Sequence, residues 1–213
     1  MRTILALLLG AGLVMPVALK ADSGLLRPAP TFEIPFDDED PAVMQAEVQQ
    51  QVLAFLQSME ARLGQKRETF RRSMAGPIER DDRDSLVYGR RLSDHLVLEG
   101  YNFRDGELVR GQYLCLQRPV NGLNEFIGYY QAVKHSLIGS YGQPTHDQLV
   151  WENDLYQPLP DYWGVAVQIG HLRYEAQWDR PDGIISLELT GNHHSRLTIE
   201  YRGKAFLEDL HIT

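Results

Sequence analysis

Two imidazoles stand side by side at His193-His194, within the segment GNHHSR. Neutral imidazole is a good ligand for zinc or copper, but a site needs three or four converging donors. Neighbours in one turn would have to recruit His171 or Asp182 to complete the set. Neither an HExxH helix nor paired cysteines at ligand spacing occur in the chain. The same pair also suits a hydrated hairpin turn. Nucleophilic chemistry has one sulfur to draw on, Cys115 in GQYLCLQR. That thiol would need a neighbouring cation to lower its pKa, and its setting reads instead as mid-strand, where cysteine acts as a small hydrophobe.

Hydrolysis has the right residue types but no pattern. There is no G-x-S-x-G elbow and no S-x-x-K motif. Carboxylates abound, yet they fall in helix caps, hairpin turns and the wet faces of strands, so no acid and base pair stands out. Glu175 and His171 share a solvent-facing strand side. The acidic run Asp37 to Asp40 lacks the alternating ligands and the glycine of a calcium loop. It suits a helix start: Asp40 caps, Pro41 takes the first position, and the acids favour the positive end of the helix dipole. No cofactor is implied by any of these residues. Aromatic residues are the more specific signal. Tyr156, Tyr162 and Trp163 cluster in a loop rich in proline and acids, a composition that suits an exposed recognition patch for a protein or small ligand.

Elements must position these groups. Val48, Val52, Phe55, Met59 and Leu63 recur at steps of three and four, predicting a helix over 41–63 that ends at Gly64. Leu123, Phe126, Ile127, Tyr130, Val133, Leu137 and Tyr141 predict a second helix over 123–141, with Asn121 as N-cap and Gly142 and Pro144 as stop signals. Between them, HLVLEGYNF and ELVRGQYLCL flank Arg104-Asp105-Gly106, an Asp-Gly hairpin signal, and SLVYGRR adds a candidate strand before it. Beyond the second helix come a short strand, DQLVW, and an alternating strand, HLRYEAQW. Turns at PDG and GNHHS then lead through IISLEL and RLTIEY. Residues 160–170 admit either a short helix capped by Asp161 or a Val-Ala-Val strand. The expected fold class is α+β: an antiparallel sheet, made of a hairpin plus a C-terminal meander, covered on one face by one or two helices.

At the scale of the chain, MRTILALLLGAGLVMPVALKADSG sets one cation before an apolar run from Ile4 to Leu19. That run is short for a membrane span and fits a secretory signal peptide over 1–21, cleaved after Ala21 or after Ser23. Residues 22–40 read as a Pro-rich acidic linker, and 41–213 as a single α+β domain with an N-terminal helix. Removal of Arg2 and Lys20 leaves 19 basic against 29 acidic residues, a formal charge of −10. Such a chain is repelled by the phosphate backbone, which argues against nucleic acid as a partner. Its densest basic run, KRETFRR, reads as a solvated helix face or turn. One cysteine permits no internal disulfide, so burial must stabilise the domain. No stable membrane anchor is expected after cleavage, and the oligomeric state stays open.

A helix ending in YGQP, a strand ending in tryptophan, then WGVAVQIGHLRYEAQW and IISLELTGN resemble a pattern of uncharacterised exported bacterial proteins, over residues of about 100 to 202. That family implies no established activity. Helix followed by antiparallel meander is also similar, more distantly, to outer-membrane assembly lipoproteins of the BamE type and to β-lactamase inhibitor proteins. The chain lacks the acylated cysteine of those lipoproteins. These readings together predict an exported, periplasmic or secreted, non-catalytic binding or accessory protein. The alternatives are a hydrolase or metal-dependent enzyme using His193 and His194 with nearby acids, and a protein inhibitor of an envelope or secreted enzyme.

Overall fold

The computed structural model of the protein describes residues 41–92, 95–116 and 124–210. The leader and the linker expected over 1–40, and Asn121, lie outside these residues. Within them runs α1 (Pro41–Arg62), whose apolar stripe is buried from Met44 through Val48, Val52, Phe55 and Leu56 to Met59. After α2 (Arg67–Ser73) come β1 (Ile78–Asp82), β2 (Ser85–Leu92), β3 (His95–Arg104) and β4 (Glu107–Leu116). The chain continues through α3 (Glu125–Tyr141) and β5 (His146–Trp151) to a 3-10 turn, Pro160–Tyr162, and α4 (Trp163–Gln168). It closes with β6 (Leu172–Arg180), β7 (Gly183–Gly191), β8 (Ser195–Gly203) and α5 (Lys204–Leu210).

Hairpin and meander are one sheet. Antiparallel pairing of β4 with β8, from Arg110 opposite Arg202 to Leu116 opposite Arg196, joins them in the order β1-β2-β3-β4-β8-β7-β6-β5. Alternation sorts the side chains. Leu197, Ile199 and Tyr201 of β8 and Leu172, Tyr174, Ala176 and Trp178 of β6 are buried on the helix side. Arg196, Thr198, Glu200 and Arg202 fall on the other face. α1 and α3 lie side by side on the buried face. The α+β class with helices against an antiparallel sheet is therefore the observed architecture.

Turn chemistry agrees with the sequence where it is local. Asp105 and Gly106 both take positive φ, 50° and 76°, as a two-residue hairpin turn requires. Gly142 also takes a positive φ of 82°, and its N–H bonds back to the Ile138 carbonyl to end α3. Its own carbonyl accepts the Trp178 indole N–H at 2.9 Å, so this stop clamps the helix to the C-terminal part of β6.

Several features resolve what the sequence reading left open or differ from it. Residues 160–170 resolve to the 3-10 turn and α4. Val165, Ala166 and Val167 sit against β6, β7 and β8, so tertiary contact overrides their strand preference. Asn124, not Asn121, occupies the N-cap position of α3. Strand β1, IERDD, is exposed along its whole length and carries no apolar alternation to betray it. It is held by β2 and by the basic run, which forms α2. Arg67 and Arg71 both pair with Asp81, the latter at 2.9 Å, and Arg67 donates to the Asp82 carbonyl at 2.8 Å. The cations read as a solvated face thus pin an edge strand.

Candidate functional site

The segment between β5 and β6 is built from consecutive turns that satisfy their own backbone. The Leu155 N–H bonds to Asn153 Oδ1 at 3.0 Å, Gln157 N–H to the Asp154 carbonyl at 2.9 Å, and Leu159 N–H to the Tyr156 carbonyl at 3.0 Å. Tyr162 N–H then reaches the Leu159 carbonyl at 2.9 Å. Two fasteners locate this loop. His171 accepts the Glu152 N–H at 2.8 Å and donates its own N–H to the Ala166 carbonyl at 2.8 Å. Asn124 acts from the start of α3: its Oδ1 accepts the Gly164 N–H at 2.7 Å and its Nδ2 donates to the Pro160 carbonyl at 3.1 Å. Beneath, α4 lies directly on Gly191 of β7, where any Cβ would collide with the backbone of Val167 and Gln168.

With the backbone internally bonded, side chains define the surface. Leu155 is 62% exposed, Tyr162 47%, Leu159 46% and Ile169 44%, with Leu149 of β5 at 39%. These five are most of the exposed large hydrophobics among the described residues, the others being Val43, Ile78 and Leu96. Of the three aromatics singled out in the sequence, Tyr162 is the exposed one. Trp163 and Tyr156 are half-buried and pack against the core. The Trp163 ring meets Trp151 edge-on at 5.6 Å and its Nε1 donates to the Gln157 carbonyl at 3.3 Å, while Tyr156 tilts over His171 at 6.0 Å. The exposed leucines beside them were not picked from the sequence, because single leucines in a proline-rich loop carry no periodic signal.

His193 and His194 occupy the turn between β7 and β8. His193 takes a left-handed φ of 63°, and its carbonyl accepts Gln168 Nε2 of α4 at 3.2 Å. Among the described residues no group of three or more His, Cys, Asp and Glu side chains converges to hold a metal ion. The pair supplies two donors where three or four are needed, and its observed contacts are those of a turn buttressing α4.

Cys115 is fully buried in β4. Burial, with the Glu125 carboxylate adding to it, pushes its thiol up to about 12, which favours the protonated form over the nucleophilic thiolate. Carboxylates do gather on the open face of the sheet, where Glu175 lies opposite Glu188 and Glu200 lies on the next strand. Burial raises the Glu188 pKa, and the charges of Glu175 and Glu200 raise it further. Arginines claim the other two: Glu200 pairs with Arg110 and Arg202, and Glu175 with Arg173 at 2.5 Å. The result is a cross-strand ionic lattice. Two depressions lie elsewhere. One of about 110 Å³ is bordered by Tyr88, Arg90 and Glu99, the last two already paired at 2.9 Å. One of about 620 Å³ surrounds the β3–β4 turn from Phe103 to Gly106. Neither lining holds a histidine or a cysteine. Among the described residues no helix is long and apolar enough to cross a membrane.

Comparison with protein-family models, curated protein sequences and solved structures finds no match for this chain.

Proposed function

We propose that the chain is an exported, non-catalytic binding or accessory module of the bacterial periplasm or exterior, and that it recognises a protein partner through the loop between β5 and β6. One observation carries this reading: of the eight exposed large hydrophobics among the described residues, five, Leu149, Leu155, Leu159, Tyr162 and Ile169, fall within the segment 149–169. Exposed apolar side chains concentrated in one segment beside polar ones are a signature of an interaction site. The rim supports it, since Glu152, Asp154 and Asp161 in the same segment are exposed. Export rests on the charged and apolar pattern of residues 1–21. A protein inhibitor of an envelope or secreted enzyme would present the same loop.

The test is affinity capture from an envelope extract using the full mature chain, wild type beside a Leu155→Ser, Tyr162→Ser double variant. The reading expects a partner held in stoichiometric amount by the wild type and released from the variant, with circular dichroism unchanged. Equal capture by both proteins would remove the loop from recognition. Metal analysis of the same preparations addresses the enzymatic alternative. Stoichiometric zinc that disappears on changing His193 and His194 to alanine would overturn the non-catalytic assignment.

A further inference from the structure

The sheet has two edges, and they are treated differently. An exposed edge strand offers a row of unpaired N–H and C=O groups, which proteins blunt with charge, bulges, proline or a covering element. β1 is blunted by every residue being exposed, by four charged side chains in five positions and by a register break between Ile78 and Arg80. β5 has none of these devices along its central residues. It is six residues long, pairs with β6 in unbroken register from His146 to Trp151, and contains no proline, lysine or arginine. Its one carboxylate, Asp147, is already matched by Lys134 of α3 at 2.9 Å.

The phase of the ladder says which groups are available. The Glu152 N–H bonds to the His171 carbonyl across the same register, so even-numbered residues of β5 face β6. The backbone N–H and C=O of Asp147, Leu149 and Trp151 therefore turn away from the sheet. On the helix side the same stretch carries exposed Leu149. Its C-terminal end runs directly into the apolar loop of Leu155, Leu159 and Tyr162.

We infer that β5 is a docking edge that accepts an extended segment of another polypeptide as a ninth strand, its apolar side chains meeting Leu149 and the adjoining loop and its cationic residues meeting the acidic rim. This rests on the proposed recognition role of the loop and adds the mode and chemistry of the partner. Main-chain bonds along an edge supply affinity, and alternate side chains supply specificity. Charge selects the occupant. Glu152, bridged to Arg173 yet still exposed, and exposed Asp154 follow directly on β5 in sequence, and with Asp161 of the same segment they would meet their own copies across a two-fold axis, which disfavours a second molecule of this acidic chain. Residues 22–40 also fit poorly, because Pro28, Pro30 and Pro35 lack N–H donors and Asp37 to Asp40 would face like charge.

The probe is a short fluorescent peptide alternating valine and threonine with lysine at both ends, titrated into the full mature chain and read by anisotropy. Saturable binding is expected, and a glutamate-ended version should bind markedly more weakly. Leu149→Pro deletes one outward N–H at a position where an edge strand tolerates proline. It should weaken binding about tenfold, the equivalent of about 1.4 kcal/mol. Amide exchange keeps the test decisive if that variant folds poorly: in the wild type, Leu149 and Trp151 amides should exchange fast alone and slowly with peptide. Unchanged exchange on saturation, or no binding of either peptide, overturns the docking edge. Equal binding of both peptides overturns the cationic assignment. A concentration-dependent dimer that Leu149→Pro dissociates would make the occupant a second copy and overturn the partner proposed. Loss of binding in Leu155→Ser, Tyr162→Ser with Leu149→Pro unaffected sinks the edge and leaves the loop standing. The opposite pattern sinks the loop and leaves the edge.

Discussion

At the level of single residues, burial has decided what the reactive groups can do. Cys115 has no solvent access and a thiol held protonated, so a thiol-reactive dye should label the native protein negligibly at pH 8. Full labelling is expected on unfolding in guanidinium, and fast native labelling would contradict the burial. Glu188 makes a second prediction. Its carboxyl pKa is raised in the folded state by burial first, and then by Glu175 and Glu200. The folded protein thus holds that proton more tightly than the unfolded chain, and the stability it contributes is lost as pH rises through the folded value. Glu188→Gln should raise Tm at pH 7, and the advantage should shrink on acidification below the ordinary glutamate range. Thermal melts of both proteins at the two pH values check the sign.

Elements owe their placement to a few close approaches. α4 reaches the sheet because Gly191 offers no side chain, and Gly191→Ala must push the Val167–Gln168 backbone away. Overpacking of this kind costs about 1–3 kcal/mol. Because α4 carries Trp163, the variant should also shift tryptophan emission to the red as the Trp151–Trp163 contact opens. An unshifted spectrum would mean that the loop holds itself in place. Asn124→Ala removes the two side-chain bonds that tie the start of α3 to Pro160 of the 3-10 turn and to Gly164 of α4. It should increase amide exchange at Gly164 while leaving β7 and β8 protected. These contacts explain the limits of the sequence reading of the site. Tyr156, Tyr162 and Trp163 were visible as a cluster, but whether each pointed inward depended on Trp151 and on Gly191 and Asn124, the last two distant in the chain.

For the molecule as a whole, one aromatic-rich core lies between the sheet and the helices. Leu56 of α1 is completely buried, and Leu56→Ala should cost about 2–5 kcal/mol in denaturant melts. Phenols in that core and packed against it give it a pH limit. Burial pushes both Tyr141 and Tyr174 up to about 12, with Glu60 also raising Tyr141. Below about pH 10, the ordinary tyrosine value, their neutral forms add no pH dependence. Between there and about 12 the unfolded chain ionises first, so stability falls as pH rises. Alkaline unfolding followed by circular dichroism should therefore coincide with the late part of the tyrosinate absorbance change. Phenols titrating well before the fold is lost would argue against their burial.

What the sequence determined by itself was set by neighbours in the chain. Stripes of period three to four built α1 and α3, alternation built β6 and β8, and Asp105-Gly106 and Gly142 made their turns through backbone conformations that few residues adopt readily. Such interactions span a handful of residues and leave their spacing in the text. Tertiary structure alone decided that hairpin and meander are one sheet, since β4 and β8 are joined by pairs such as Arg110 with Glu200, 90 positions apart. It also decided that IERDD is a strand, that Val165 to Val167 are helical, and that β5 rather than β1 keeps an open edge. Backbone hydrogen bonding between distant segments is blind to side-chain identity. The edge on which the proposed recognition depends therefore exists only once the sheet is assembled.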